Sequence, residues 1–303
     1  MDRDVSLVFD PRDVPRSNVN PKPGSRHSIA LVWAQLGKNT MDDSYQAYLE
    51  RLSKMVQPDS YHSTLQYLCK SPKFARTADG VVRAVAFPGY TLISPTSEDD
   101  TVNGDAYAAI QAASDALVRQ LPEGLLIGLP PASYHMTIAD LIWDSAYRDR
   151  SLDPAYDAKL RDRLTALFSD VKPQVIGPTR VSWQVLGFVV MPRAIGVCLI
   201  PCDEASYRRT VRVRRSIYQD STMMGLGIDQ QYHFTAHVTL GYFGDIPANL
   251  DRVVIAQILA ETNQHFLQNK VILSLDRAEL RRFEDMTVYT REAEWPVLNW
   301  VSN

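Results

Sequence analysis

Apolar residues recur at helical spacing in some stretches of the chain and run nearly unbroken in others, and the two patterns predict an α+β fold. Helical periodicity covers Asp42 to Met55, Ala106 to Leu121, Pro154 to Phe168, Glu204 to Tyr218 and Leu250 to Leu267. In the second of these, Ala109, Ile110, Ala113 and Leu117 form one apolar stripe. Strand patterns cover Val81 to Ser94, Ser133 to Trp143, Thr179 to Pro192, Ala194 to Pro201, Thr235 to Phe243, Val271 to Leu275 and Thr287 to Tyr289. Residues 1–40, with Pro11, Pro15, Pro21 and Pro23 and no sustained period, read as an irregular N-terminal extension. A helical segment at 41–80 and a larger unit at 81–303 follow.

Within this pattern the histidines stand out. Four of the six are followed two residues later by threonine, at His62, His135, His233 and His237. In a strand, residues i and i+2 share a face, so each such unit presents an imidazole beside a hydroxyl. His135-Met136-Thr137 and His237-Val238-Thr239 sit in matched strand-like surroundings, 102 residues apart. That separation leaves room for a complete α/β unit and predicts two related lobes, each lending one strand to a shared cleft. Two imidazoles can act as base and acid on opposite sides of a phosphodiester, and two hydroxyls can hold its charged oxygens. Nothing in that chemistry requires a metal or another cofactor.

The paired H-x-T units resemble those of the two-histidine (2H) phosphoesterase superfamily, over roughly residues 80 to 292. Phe87-Pro88-Gly89-Tyr90-Thr91 and Arg282-Phe283-Glu284-Asp285-Met286-Thr287 are similar to segments of an uncharacterised bacterial branch of that superfamily. The resemblance implies a bilobed, pseudo-twofold fold with a mainly antiparallel sheet and flanking helices in each lobe. It implies His135 and His237 as the acid/base pair, Thr137 and Thr239 as phosphate ligands, and an activity related to 2′,3′-cyclic phosphodiesterases and RNA-end enzymes.

The remaining candidates carry competing readings. His233 would share a face with Thr235, His237 and Thr239 if the strand began early, yet it follows the polar, glycine-containing stretch from Gly225 to Gln231; it is read as a rim residue or spare donor. His62 lies where Tyr61, Leu65 and Leu68 fall at helical spacing and is read as incidental. Tyr90, Trp143 and Tyr242 offer faces on which a base or ribose can stack, against the alternative that each packs in the core. Arg208, Arg209, Arg212, Arg214 and Arg215 form the densest positive patch. A solvated helical face neutralised by Asp203, Glu204 and Asp220 competes there with an RNA guide.

Composition narrows the reading. A chain of 303 residues with 45% hydrophobic content can bury a large core, and a net charge of −3 disfavours a protein that coats nucleic acid. A nucleotide or short oligonucleotide is the expected partner; no stable protein partner is predicted, and the oligomeric state is open. Cys69, Cys198 and Cys202 lack disulfide-framework spacing, which suits a reducing cytoplasm. No apolar run approaches a membrane span, and no metal, P-loop or G-x-S-x-G motif is present. The expected activity is metal-independent phosphodiester hydrolysis, with a nucleotide-binding module or an RNA ligase as alternatives.

Overall fold

The computed structural model describes residues 42–302; the proline-bearing extension predicted at 1–40 lies outside them. In chain order the strands are β1 (Phe74–Arg76), β2 (Val82–Ala84), β3 (Gly89–Ile93), β4 (Leu126–Gly128), β5 (Thr137–Trp143) and β6 (Val181–Met191). They continue with β7 (Ala194–Pro201), β8 (His237–Phe243), β9 (Ile272–Leu275), β10 (Arg277–Phe283), β11 (Tyr289–Thr290) and β12 (Val297–Asn299). One sheet has the order β11-β10-β3-β5 with β12 also on β10, and the other the order β4-β8-β7-β6-β9. Every ladder is antiparallel. The α+β class is the predicted one, and each five-stranded sheet carries one motif strand.

Several helices begin where a polar side chain caps them. Ser44 accepts from the Ala47 amide at the start of Tyr45–Met55, Asp203 from Ser206 before Glu204–Tyr218, and Asp251 from Val253 and Val254 before Arg252–Phe266. Helix Tyr45–Met55 buries Tyr48 and Leu52, one turn apart, and the Tyr48 hydroxyl donates to the Leu199 carbonyl at 3.2 Å. Tyr61 reaches the Phe188 carbonyl at 2.9 Å. Each such side chain contributes about 1.5–3 kcal/mol by burial, so the 42–80 segment docks onto β6 and β7 and belongs to the same compact unit as the sheets.

The elements depart from the sequence pattern in several places. The single strand expected over Val81 to Ser94 is two, β2 and β3, because Pro88 has no N–H to give a ladder. Next to it, a β carbon on Gly89 would stand 2.3 Å from the Ile142 carbonyl oxygen, so only glycine lets β3 lie against β5 there. The helix expected to end at Phe168 runs from Tyr156 to Val175 through Pro173. Strands β4, β10 and β12 and the helix Asp144–Arg150 have no counterpart in the sequence pattern.

Candidate active site

The two motif strands touch at their beginnings. Met136 and Val238, the middle residues of the two H-x-T triplets, form an antiparallel β-bridge that joins the sheets. In that register His135 falls opposite Thr239 and Thr137 opposite His237, with cross-strand β carbons about 5 Å apart and the two histidines ~7–8 Å apart on the diagonal. Met136 and Val238 are fully buried, while both histidines and both threonines are half-buried on the other face. The pairing therefore gathers two imidazoles and two hydroxyls into one square.

A second correspondence lies one residue further on. Each strand carries a one-residue bulge after its threonine, Ile138 in β5 and Leu240 in β8, where the register with the neighbouring strand shifts. Each bulge carbonyl is captured: Arg214 donates to Ile138 O at 2.6 Å, and the Leu129 amide donates to Leu240 O at 2.8 Å. The bulge returns the chain to the cleft face at the third residue after threonine instead of the second. Asp140 and Tyr242 occupy those positions, both half-buried.

The imidazoles are held identically. His135 Nδ1 lies 2.7 Å from the Ser133 carbonyl oxygen and His237 Nδ1 2.7 Å from that of Thr235. A carbonyl only accepts, so each Nδ1 carries the proton and Nε2 is left to gain or lose one. Burial pushes the His135 pKa down to about 4; the Ser133 carbonyl and Asp140 oppose this, while His237 and Arg281 add to it. His135 is therefore neutral near pH 7.

Residues from distant parts of the chain complete the cleft. The Tyr289 ring stands edge-on to His135 with centroids 4.4 Å apart, and its backbone carbonyl accepts from Arg281 at 3.2 Å. Arg281 is itself buried against Glu279 and Asp99. Tyr232 donates its hydroxyl to Asp140 from the loop before β8. Lys73 lies 3.3 Å from the Tyr242 hydroxyl. Arg51 ties the entrance of the second triplet, donating to the Phe234 carbonyl at 2.5 Å and to Thr235 Oγ1 at 2.9 Å. None of these residues shares a local pattern with the histidines, so none had a sequence signal beyond its polar or aromatic type.

Of the other candidates, Tyr242 lines the cleft, whereas Tyr90 is 1% exposed and packs against Tyr147 and Trp295 on the opposite face of its sheet. Trp143 ends β5, four ladder steps or ~13 Å along the strand from Thr137. His233 precedes β8 outside any strand, exposed, 3.6 Å from Asp43, which places it at the rim. His62 is exposed in the helix Pro58–Thr64. The arginine helix is solvated on one face only: Arg208 and Arg212 are exposed and Arg208 pairs with Glu204 at 2.8 Å, whereas Arg214 is buried beside Asp42, Arg209 donates to the Val175, Thr179 and Trp300 carbonyls, and Asp220 pairs with Arg163. Among the described residues no group of three or more His, Cys, Asp or Glu side chains is placed to hold a metal, and no helix is long and apolar enough to cross a membrane.

A cleft between two antiparallel sheets, with one H-x-T triplet from each, defines a two-histidine architecture. Residues 77–163, which include the first triplet, match the family model 2H-phosphodiest, described as a domain of unknown function (DUF1868). Among solved structures it is similar to the conserved protein of unknown function ATU0111 from Agrobacterium tumefaciens, at 15% identity and a TM-score of 0.49 over 73% of this chain and 90% of that one. LigT of E. coli is similar at 10% identity and a TM-score of 0.38, over 72% of this chain and 100% of LigT. TT0787 of Thermus thermophilus is similar at 14% identity and a TM-score of 0.39, over 66% of this chain and 93% of that one. No curated protein sequence matches the chain.

Proposed function

We propose that the chain is a metal-independent phosphodiesterase that hydrolyses nucleotide or short oligonucleotide phosphodiesters, cyclic phosphates in particular, as in the processing of RNA ends. The observation that carries this reading is the Met136–Val238 bridge, whose register makes a square of His135, Thr239, Thr137 and His237. His135, neutral near pH 7, is suited to take the proton of the attacking water at Nε2. As the new P–O bond forms, the opposite P–O bond breaks and its electron pair leaves with the departing oxygen. His237 protonates that oxygen. The Thr137 and Thr239 hydroxyls donate to the non-bridging oxygens, whose charge grows in the transition state.

The deciding experiment is a chelated assay of the wild type, His135→Ala and His237→Ala against cyclic mononucleotides and 2′,5′- and 3′,5′-linked oligonucleotides. Turnover by the wild type and its loss in both variants is the expected result. Full activity in either variant overturns the assignment, and saturable binding without turnover assigns the cleft to nucleotide capture alone.

A further inference from the structure

Lys73 has no part in the acid/base chemistry, yet its amine is held between two aromatic rings. Its Nζ lies 4.7 Å from the centre of the Phe87 ring and 4.8 Å from that of Tyr242, and 3.3 Å from the Tyr242 hydroxyl. Among the described residues no carboxylate lies within 4.0 Å of it. The Tyr242 hydroxyl meets one of the three ammonium donors, and the two ring faces offer the charge only a diffuse attraction. Burial lowers the pKa of the amine to about 8, against the pull of Asp140 and with the push of Arg193. A partly desolvated cation with no carboxylate in direct contact is costly, and an anion from a ligand relieves that cost.

The position of this cation is set by the bulge in β8. Thr239 pairs with Gly196 and Tyr242 with Ala194, so Tyr242 stands two ladder steps beyond the threonine on the cleft face, ~7 Å along the strand. That is the scale of one nucleotide step. We propose that Lys73, seated on Tyr242, binds a second phosphate of the substrate, one nucleotide step from the phosphate held by Thr137 and Thr239. The substrate class is then an oligonucleotide, or a nucleotide bearing a further phosphate, in preference to a bare cyclic mononucleoside phosphate. This inference rests on the phosphodiesterase reading of the same cleft.

The test is equilibrium binding by calorimetry, with adenosine 3′,5′-bisphosphate and 3′-AMP as probes. The wild type is expected to bind the bisphosphate at least 10-fold tighter than the monophosphate. In Lys73→Met and Lys73→Gln, either of which suffices if it folds, the ratio falls to near one; in Lys73→Arg it persists. A wild-type ratio near one overturns the proposal, as does an equal weakening of both probes in the variants, which would put Lys73 on the reacting phosphate. Absence of turnover on cyclic phosphates with the bisphosphate preference intact would remove the catalytic reading alone.

Discussion

The imidazole of His237 lies against the backbone of Gly196 on the neighbouring strand: a β carbon on Gly196 would stand 3.3 Å from His237 Cδ2 and 2.8 Å from the Val238 carbonyl oxygen. Gly196 pairs with Thr239, and its lack of a side chain leaves the room that the His237 ring occupies. Gly196→Ala is expected to cost about 1–3 kcal/mol by overpacking and to lower kcat by displacing the ring. Chemical denaturation and steady-state kinetics check the two effects; an alanine variant with unchanged kcat would show that the ring does not depend on this contact.

The two histidines act as one unit in the proposed mechanism. His135→Ala and His237→Ala should each lower kcat/KM by roughly 10²–10⁴, and the double variant should be little worse than the poorer single, since removing either partner already stops concerted proton transfer. Additive losses in the double variant would argue for independent roles. Circular dichroism should show all three folded, because both side chains are only half-buried.

The low pKa of His135 has consequences for both rate and stability. A base that titrates near 4 in place of its ordinary 6.5 places the acid limb of kcat/KM near pH 4. Between those values the unfolded chain holds a proton at this position that the folded chain lacks. Stability from His135 is therefore fully present above about pH 6.5 and is lost as the pH falls towards 4. The loss is on the order of 1–3 kcal/mol after solvent screening. Thermal melts of the wild type and His135→Asn across that window should converge as the pH drops.

Arg214 connects the arginine helix to the site without touching it. Its guanidinium holds the Ile138 carbonyl at the bulge and lies 3.6 Å from Asp42. Arg214→Leu strips both groups of a buried partner and is expected to destabilise the chain by about 3–5 kcal/mol. Because Asp140 reaches the cleft through that bulge, kcat should fall as well, and Arg214→Lys, which lacks the planar fork, should not restore it. Denaturant melts with kinetics on the folded fraction would separate the two losses.

Much of this was legible in the chain. Helix Glu204–Tyr218 and strand β7 have the predicted boundaries, because caps and periodicity are local. The H-x-T pair stood out because period 2 places both side chains on one face whatever the strand's surroundings. Tyr90 stayed open between stacking face and core because its neighbours, Tyr147 and Trp295, are 57 and 205 residues away and no short-range pattern records them. The strand assumed over Val81 to Ser94 failed for a local reason that Pro88 and Gly89 had already signalled.

Spacing and strand character were enough to single out His135, Thr137, His237 and Thr239 and the kind of chemistry they suit, since both follow from the stereochemistry of an extended chain. Tertiary structure alone decided that the triplets meet, through a bridge between two residues, Met136 and Val238, with no chemistry of their own. It also decided what surrounds them. The bulges at Ile138 and Leu240 exist only when a neighbouring strand supplies a register to shift against, and their carbonyls are satisfied by Arg214 and Leu129 from elsewhere in the chain. Asp140, Tyr242 and, through Tyr242, Lys73 enter the cleft by that route, which no alternation rule describes.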